Sequence, residues 1–408
     1  MTEYELAEKA RASGARVFRV GGCVRDAFLG RHPKDRDYVF CGMGEETFHG
    51  LFPRAKKVGR SFPVYLLEID GEMCEVSFAR REWKAGHGYR GFRVEFDDGV
   101  SIEEDLFRRD TTMNSMALEL PEGTLIDPYG GREDLRRGII RAVSHHFNED
   151  PVRALRAARQ AAEHGFSIEP GTLEYMGQCG EELETEPQER LVNEMSLALS
   201  ARQPSLFFRN LQAAGLLSRV FPELYRLIGK TQPKDFHPEG DAYEHSLLVL
   251  DRVSEETGNP VARFAALVHD IGKGMTPDDM LPHHYGHEKR GIEVLGQWNE
   301  RMRMPKLWLQ AGEFLISQHM RAARMEKPGK IVELLLAVEK GPLPFPEFNA
   351  VIRADHGSLP EYLRQYGKYL SAIHAVRGDS CPRHIRGKAV GEWLREAQIR
   401  AFLKIFPS

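Results

Sequence analysis

The stretch Gly21-Gly22-Cys23-Val24-Arg25-Asp26 is followed by Asp35-Arg36-Asp37, which leads directly into the apolar run Tyr38-Val39-Phe40. Aspartates two positions apart at the edge of a strand project to the same face. At roughly 6 to 7 Å and an effective dielectric near 20, their charges repel by about 2 to 3 kcal/mol, which a divalent cation turns into attraction. A glycine pair lets backbone N–H groups approach a phosphate. The stretch therefore predicts a nucleotidyl-transfer site with Asp35 and Asp37 as Mg²⁺ ligands; the alternative is a Gly-Gly turn beside a solvated strand end.

The composition is that of an ordinary globular protein, with 408 residues, 41% hydrophobic and 28% charged residues and a formal net charge of −4. A chain of this length predicts roughly two to four packed units. No apolar run reaches the length of a membrane span, and the acidic start Met1-Thr2-Glu3-Tyr4-Glu5 is unlike a signal peptide. We therefore expect a cytoplasmic protein with no membrane partner. The cysteines stand singly, which argues against a disulfide frame or a zinc ribbon.

The acidic total gives no general attraction to nucleic acid, so such binding requires a local basic patch. Between residues 131 and 160 the chain carries seven arginines, four acids and no lysine, a local formal charge of +3. The planar guanidinium of arginine suits bidentate pairing with phosphates or base edges. This segment is the candidate nucleic-acid or nucleotide surface.

Strand and helix signals are unevenly distributed along the chain. Short strands mix with helices in the first part, whereas Ala-, Leu- and Arg-rich helical patterns dominate from about residue 150 onward. The glycine-rich segment 84–99 reads as a mobile loop or loose hairpin. The predicted strands are 17–20, 37–40, 64–69, 73–79, 92–96 and 116–120, and the predicted early helices are 5–13 and 22–29.

Further residues fit the opening motif. Glu75 in the alternating strand is either a third carboxylate facing the aspartate pair or an exposed strand glutamate. Arg108 and Arg109 suit a triphosphate or ribose beside a helix N-terminus, and Asp110 can N-cap that helix.

The segment 149–159 predicts a helix with a proline near its first position. Its apolar residues fall on one side and its arginines on the other, which by itself usually marks only a solvated face. Asp150 and Arg153 stand one turn apart. They form an acceptor and donor pair able to match the Watson–Crick edge of a base.

Taken in order, these motifs resemble those of class II tRNA nucleotidyltransferases, the CCA-adding enzymes. The resemblance covers about the first 200 residues and is far more specific than any single motif. The matching motifs are 21–26 with 35–37, 108–110 with Asn114, 127–129, 149–153 and Glu189-Arg190.

The resemblance implies an α+β head with a polymerase β-like nucleotidyltransferase sheet and helices, followed by an all-α neck, body and HD domain. It implies that Asp35 and Asp37 are catalytic and hold two Mg²⁺ ions, and that Asp150 with Arg153 forms a protein template that accepts CTP or ATP. The partners implied are tRNA, CTP and ATP. The implied nucleotide-binding residues are Gly22, Arg25, Arg109, Asp110, Asp150, Arg153, Arg156 and Arg159.

A second constellation of imidazoles and carboxylates lies in the helical half, around the pair His269-Asp270. Such ligands suit a transition metal or Mg²⁺ that activates water, although a single histidine is more often a surface or packing residue. The arrangement is similar to the HD-domain metal phosphohydrolase superfamily. That likeness implies a divalent metal and phosphatase, 2′-nucleotidase or 2′,3′-cyclic phosphodiesterase activity, with Lys273 near a scissile phosphate and His237 unassigned. The implied ligands are His245, His269, Asp270, His287, His319 and Asp355, of which Asp355 has the least family-like context.

The predicted domains are 1–140 (nucleotidyltransferase head), 141–230 (helical neck and body), 231–370 (HD domain) and 371–408 (helical C-terminal segment), and a monomer is possible. An enzyme of the same fold that adds only A, or only CC, or builds poly(A) tails is the alternative. The intact segment 80–110 favours an enzyme that switches from CTP to ATP, because the switch needs a mobile element. The run Val58-Gly59-Arg60-Ser61-Phe62 lacks paired basic residues, which argues mildly against a poly(A) polymerase.

Overall fold

The protein is described here by a computed structural model that covers residues 1–33, 35–58, 63–84, 86, 92–95, 98–235 and 237–406. The chain divides into two compact units, Met1–Ala198 with Leu206–Val220, and Leu199–Ser205 with Phe221–Ser408. Among the described residues, no helix is both long and apolar enough to cross a membrane. Half of the predicted glycine-rich segment 84–99, and residues 59–62 of the segment used against a poly(A) polymerase, lie outside the described residues.

The strands all belong to the first unit. They are β1 (Arg16–Val20), β2 (Asp37–Cys41), β3 (Lys56–Lys57), β4 (Val64–Ile69), β5 (Glu72–Phe78), β6 (Arg81–Lys84), β7 (Phe92–Glu95), β8 (Ala117–Glu119), β9 (Thr124–Ile126), β10 (Ile139–Ile140) and β11 (Ser167–Ile168).

A seven-stranded sheet with the order β3-β4-β5-β2-β1-β8-β9 forms the centre of this unit. Strands β2 and β5 run parallel, and every other neighbouring pair is antiparallel. Strands β6 and β7 form a separate hairpin, and β10 pairs with β11. The predicted strands and the two early helices are present, except that Phe96 lies outside the described residues.

Both faces of the sheet are buried, which explains the continuous apolar run of β2. Because successive strand residues point to opposite faces, Tyr38 and Phe40 join one core and Val39 joins the other. The first core packs against helical residues that include Phe48, and the second against Leu106. The carboxylate of Asp37 begins the same strand, so it is held at the rim of a packed sheet.

The helices up to residue 220 surround this sheet and continue beyond it. They are α1 (Glu3–Ala12), α2 (Gly22–Phe28), α3 (Glu45–Leu51), α4 (Ile102–Phe107), α5 (Gly131–Arg137), α6 (Val152–His164), α7 (Pro170–Gln178), α8 (Gly180–Leu183), α9 (Gln188–Leu199), α10 (Ser205–Ala213) and α11 (Leu217–Val220).

The second unit is helical throughout its described residues. Its core is apolar and includes the C-terminal helix, because Phe402 is fully buried with its ring centroid 5.0 Å from that of Tyr369. The predicted α+β head followed by all-α regions is confirmed. The helices are α12 (Pro222–Tyr225), α13 (Ala242–Glu256), α14 (Pro260–Val268), α15 (His287–Met302), α16 (Lys306–Arg324), α17 (Pro328–Glu339), α18 (Phe345–His356), α19 (Glu361–Arg364), α20 (Tyr366–His374) and α21 (Lys388–Leu403).

Candidate nucleotidyl-transfer and metal sites

A tight turn at Gly21 joins β1 to α2. Gly21 has a φ of +75°, a backbone conformation that residues with a side chain rarely adopt. A Cβ atom there would lie 2.9 Å from Nη1 of Arg109 and 3.9 Å from Oδ2 of Asp37. The missing side chain therefore lets a guanidinium and a carboxylate stand directly beside the backbone.

The carboxylates of this site meet where β2 begins. Asp37 is the first residue of β2 and lies opposite Glu75 of β5 in the parallel register. Burial raises the pKa of Asp37 and the charge of Glu75 raises it further; Arg109 opposes the rise, and Asp35 adds to it. Carboxylate oxygens gathered under mutual repulsion are the donors that Mg²⁺ prefers. We call Gly21, Asp35, Asp37, Glu75 and Arg109 the head site.

The guanidinium of Arg109 is held by an acid that the sequence reasoning missed. Asp105 is fully buried, with its Oδ2 3.0 Å from Nη2 of Arg109 and its Oδ1 2.7 Å from Nη2 of Arg108. Burial opposes the ionisation of Asp105, but the two arginines lower its pKa to about 2. The spacing i, i+3 and i, i+4 on α4 and the turn that follows it is the signal that could have found this residue.

Asp110 does not cap a helix, because only a three-residue 3₁₀ turn follows it and that turn has no side-chain cap. Its buried carboxylate accepts hydrogen bonds from Arg156 (Nε, 3.0 Å), Gln160 (3.2 Å) and Asn114 (3.1 Å). Asn114 in turn accepts a hydrogen bond from Arg25 Nη1 at 2.9 Å. Asp110 thus connects α6 to α2 through a network of polar side chains.

The predicted base-reading pair lies at the start of α6, which begins directly after Pro151. Both oxygens of Asp150 lie 3.0 Å from Nη2 of Arg190, whose Nη1 contacts Glu186 at 2.6 Å. Arg153 donates from Nη1 to the carbonyl of His146 at 2.7 Å. Arg190 belonged to a quoted motif but was given no role from the sequence.

The other predicted nucleotide-binding residues of this unit are distributed around the same elements. Gly22 is the first residue of α2. Arg159 on α6 contacts Glu194 at 2.6 Å and Glu163 at 2.5 Å, so its charge is balanced by two acids.

In the second unit the structure brings together all the predicted metal ligands. Oδ2 of Asp270 lies 3.2 Å from Nε2 of His269 and 3.7 Å from Nε2 of His245. Oδ1 of Asp355 lies 3.1 Å from that same His245 nitrogen, although the two residues are 110 positions apart. The nitrogen atoms of both imidazoles and the oxygens of both carboxylates therefore surround one point.

The other oxygen of Asp270 faces two further imidazoles. Its Oδ1 lies 3.2 Å from Nε2 of His287 and 3.3 Å from Nε2 of His319. The ligand atoms form two groups that share Asp270, each within 4.8 Å. We call this set the metal cluster: His245, His269, Asp270, His287, His319 and Asp355.

In three of these imidazoles the Nδ1 atom points away from the cluster. Its hydrogen bond determines which ring nitrogen carries a hydrogen. Nδ1 of His269 donates to the carbonyl of Ala266 at 2.7 Å, and Nδ1 of His287 donates to that of His284 at 2.9 Å. Nδ1 of His319 likewise lies 3.1 Å from the carbonyls of the preceding turn. A carbonyl only accepts, so each Nδ1 carries a hydrogen, and a ring that binds a metal in its neutral form presents its Nε2 lone pair to the centre.

Two buried atoms at this centre, Nε2 of His269 and Oδ1 of Asp270, have no hydrogen-bond partner in the described structure. Because buried polar atoms are almost always paired, their convergence fits one or two divalent metal ions. Nζ of Lys273 lies 2.5 Å from Oδ2 of Asp270 and donates to Gln232 Oε1 at 2.5 Å. Lys273 thus stands directly beside the cluster.

Comparisons with known proteins match the regions of the two sites to different family models. The family described as "Poly A polymerase head domain" matches residues 17–141, "Probable RNA and SrmB- binding site of polymerase A" matches 165–227, and "HD domain" matches 242–356. A "Multifunctional CCA protein" of Nitrosococcus oceani is 39% identical over 400 residues, which cover 94% of this chain and 97% of that protein. One of Methylococcus capsulatus is 43% identical over 393 residues, covering 94% and 86%.

The chain belongs to the multifunctional CCA protein family. This membership confirms the predicted family and enzyme class, tRNA nucleotidyltransferases with an HD domain. The fold agrees with the solved "Crystal structure of Bacillus stearothermophilus CCA-adding enzyme in complex with CTP", at a TM-score of 0.67 and 24% identity over 98% of this chain and 92% of that one.

Proposed function

We propose that this member of the multifunctional CCA protein family adds CCA to the 3′ end of tRNA, without a nucleic acid template, from CTP and ATP. The main observation behind the proposal is the turn at Gly21. Arg109 and Asp37 lie close to the backbone there because Gly21 has no side chain. A triphosphate can approach such a turn closely, and the names of the relatives supply the added CCA sequence.

In this proposal Asp35 and Asp37 hold Mg²⁺, with Glu75 as a third carboxylate opposite Asp37. Two bound ions would activate the 3′-hydroxyl of the tRNA and steady the leaving pyrophosphate. Arg109 presents its guanidinium to the triphosphate, which pairs with it bidentately. Asp105 keeps that guanidinium in place, since it is buried and bonded to the same side chain.

Asp150 and Arg153 would read the incoming base by hydrogen bonding. A carboxylate only accepts, so Asp150 matches the exocyclic amino groups of cytosine and adenine and opposes the carbonyl oxygens of guanine and uracil. Arg153 only donates, so it matches the unprotonated ring nitrogen of the same two bases. Each polar group left unpaired costs about 1 to 3 kcal/mol. The bonds from Arg190 orient the Asp150 carboxylate in advance.

Addition of A alone, addition of CC alone and poly(A) synthesis are the competing activities of this fold. The deciding assay incubates the protein with Mg²⁺, labelled CTP or ATP and tRNA transcripts that end at the discriminator base, after the first C or after the second C. A CCA-adding enzyme extends all three to the same final length. Extension of the last transcript alone indicates an A-adding enzyme, and long A tails indicate a poly(A) polymerase. Failure to extend any transcript would refute the proposal.

We infer a second activity at the metal cluster, the hydrolysis of a phosphate ester at a tRNA end or a nucleotide. The inference rests on four imidazoles that aim their Nε2 atoms at two buried carboxylates. A divalent ion held there would activate water for attack on phosphorus, and Lys273 would neutralise the phosphate. We expect hydrolysis of p-nitrophenyl phosphate, 2′-AMP or 2′,3′-cyclic AMP after chelation and reloading with Mg²⁺, Mn²⁺, Co²⁺ or Ni²⁺. No hydrolysis with any of these ions would contradict this second activity.

The cytoplasmic location stays a prediction from the sequence, and a monomer stays one option for the oligomeric state. Cell fractionation and light scattering of the purified chain test them directly.

A further inference from the structure

The loop that leads into α13 is tied together by its own backbone. The N–H of Gln232 donates to the carbonyl of Gly240 at 3.0 Å, and Thr231 forms an antiparallel bridge with Asp241. Asp241 also caps α13 by accepting from the N–H of Tyr243 at 2.9 Å. The backbone on either side of Glu239 is thus fixed relative to the helix that carries His245.

This loop delivers one carboxylate to the metal cluster from outside the helical core. Oε1 of Glu239 accepts a hydrogen bond from Nδ1 of His245 at 2.6 Å, and Nδ1 of His237 lies 3.3 Å from the same oxygen. The side chain of Glu239 is 15% exposed and that of His245 is 2% exposed. In the described structure the other three imidazoles of the cluster use backbone carbonyls instead.

We propose that Glu239 is a positioning residue, which fixes the tautomer and ring orientation of His245 so that its Nε2 lone pair faces Asp270 and Asp355. The proposal rests on the metal site inferred above. A carboxylate behind a metal-binding imidazole fixes the ring and raises the basicity of the other nitrogen.

The same atoms allow a competing arrangement. Nδ1 of His237, Nδ1 of His245 and Oε1 of Glu239 lie within 4.8 Å of one another and could hold an additional ion. His245 would then bind metal through both nitrogens and lose both ring hydrogens, which neutral imidazole does not do at ordinary pH. We therefore favour the hydrogen bond, and the test below separates the two arrangements.

The test is calorimetric titration of the metal-free full-length chain with Mn²⁺. All proteins carry Asp37→Ala to weaken ion binding at the head site, so that differences between the proteins report on the metal cluster. We expect Glu239→Ala to weaken Mn²⁺ binding about 10-fold or more, the usual effect of losing such an outer partner, with the number of bound ions unchanged. Glu239→Gln should recover most of the affinity, because its amide oxygen still accepts the Nδ1 hydrogen. Glu255→Gln, on the exposed face of the same helix, should bind as the parent does.

The Co²⁺ absorption spectrum gives a readout that a merely structural role would not change. We expect the ligand-field bands to shift in Glu239→Ala but not in Glu255→Gln, while the metal-free proteins melt at the same temperature. Mn²⁺ binding by Glu239→Ala equal to the parent's would overturn the inference, and so would a Glu239→Gln variant as weak as Glu239→Ala. Loss of one whole ion with normal affinity for the rest would establish the additional ion instead. A parent chain that binds no Mn²⁺ would overturn the metal cluster itself, and this inference with it.

Discussion

The head site and the metal cluster both contain several carboxylates, but the carboxylates of the two sites differ in their exposure to solvent. In the head site Asp35 is exposed and Asp37 is half-buried, and their neighbours come from a strand rim and a glycine turn. In the metal cluster the four imidazoles and Asp270 are at most 5% exposed. The first arrangement suits ions that arrive and leave with a nucleotide, whereas the second suits an ion that stays.

Desolvation accounts for this difference. Carboxylates near water repel one another by only a few kcal/mol, so the head site tolerates the absence of its ions. The unpaired atoms of the metal cluster are buried away from the protein surface, and each buried unpaired polar group costs about 1 to 3 kcal/mol. We therefore expect metal binding at the cluster to stabilise the fold as well as to serve the proposed hydrolysis.

The largest expected effect is that a substitution in either site abolishes the activity proposed for that site and leaves the other activity intact. Asp35→Ala removes a proposed Mg²⁺ ligand, so we expect nucleotide addition to fall by ~10³-fold or more, equivalent to about 4 kcal/mol of transition-state stabilisation. Phosphate-ester hydrolysis should continue at the parent rate. Asp270→Ala should have the reverse effect, and both activities are measured on the same preparations.

Circular dichroism of both variants provides the control for folding, because Asp270 is buried beside Lys273. If either change abolished both activities while the fold was kept, the two regions would not be separate catalytic sites.

A smaller loss is expected from Gly21→Ala. The new Cβ would require a positive φ and would meet Nη1 of Arg109 at 2.9 Å. Strain of about 1 to 3 kcal/mol, together with a displaced guanidinium, should lower kcat/KM for CTP ~10- to 100-fold. Gly14→Ala is the matched control, since Gly14 also has a positive φ (+84°) but nothing lies within 4 Å of its added Cβ. Equal kinetics of the two variants would show that backbone strain, and not the approach of Arg109, matters.

The strands that carry the head site could be predicted because alternation and apolar runs are local signals. The register between the strands has no local sequence signal, because only the parallel pairing of β2 with β5 places Glu75 opposite Asp37. Asp105 was missed for a related reason. Its spacing to Arg108 and Arg109 is visible in the sequence, but its full burial between these two arginines is seen only once the chain has folded.

The metal cluster shows the same limit more strongly. The His269-Asp270 pair is visible in the sequence, but Asp355 could be assigned only through a family resemblance, because the residues between contain many other acids and histidines. Glu239 was not identified at all. Its role depends on a hydrogen bond between a loop and the first turn of α13.

A still smaller effect tests the base-reading pair. Arg190→Gln removes the guanidinium that contacts both oxygens of Asp150. We expect the preference for CTP and ATP over GTP and UTP, measured as the ratio of kcat/KM values, to fall ~10-fold, because one oriented hydrogen bond is worth about 1 to 1.5 kcal/mol. Arg136→Gln removes an exposed arginine paired at the surface with Glu133 and should leave the ratio unchanged. A selectivity identical to the parent's would show that Asp150 needs no such support.

The smallest effect concerns acid stability and appears in the first unit. Nδ1 of His164 lies 3.0 Å from Nη1 of Arg31, so this nitrogen must accept and the ring is neutral. Burial and the charge of Arg25 lower the pKa of His164 to about 4. Between that value and its unfolded pKa near 6.5, the unfolded chain binds more protons, so stability falls as the pH falls, by at most ~1.4 kcal/mol per pH unit.

His164→Gln keeps an acceptor for Arg31 but does not titrate. The protection factors of α6 peptides against hydrogen exchange, which are corrected for the intrinsic pH dependence of exchange, should therefore fall less between pH 7 and 5 in the variant than in the parent. Those of α17 peptides, which contain no histidine, should be the same in both proteins. An unchanged α6 response would mean that protonation of His164 does not limit this helix.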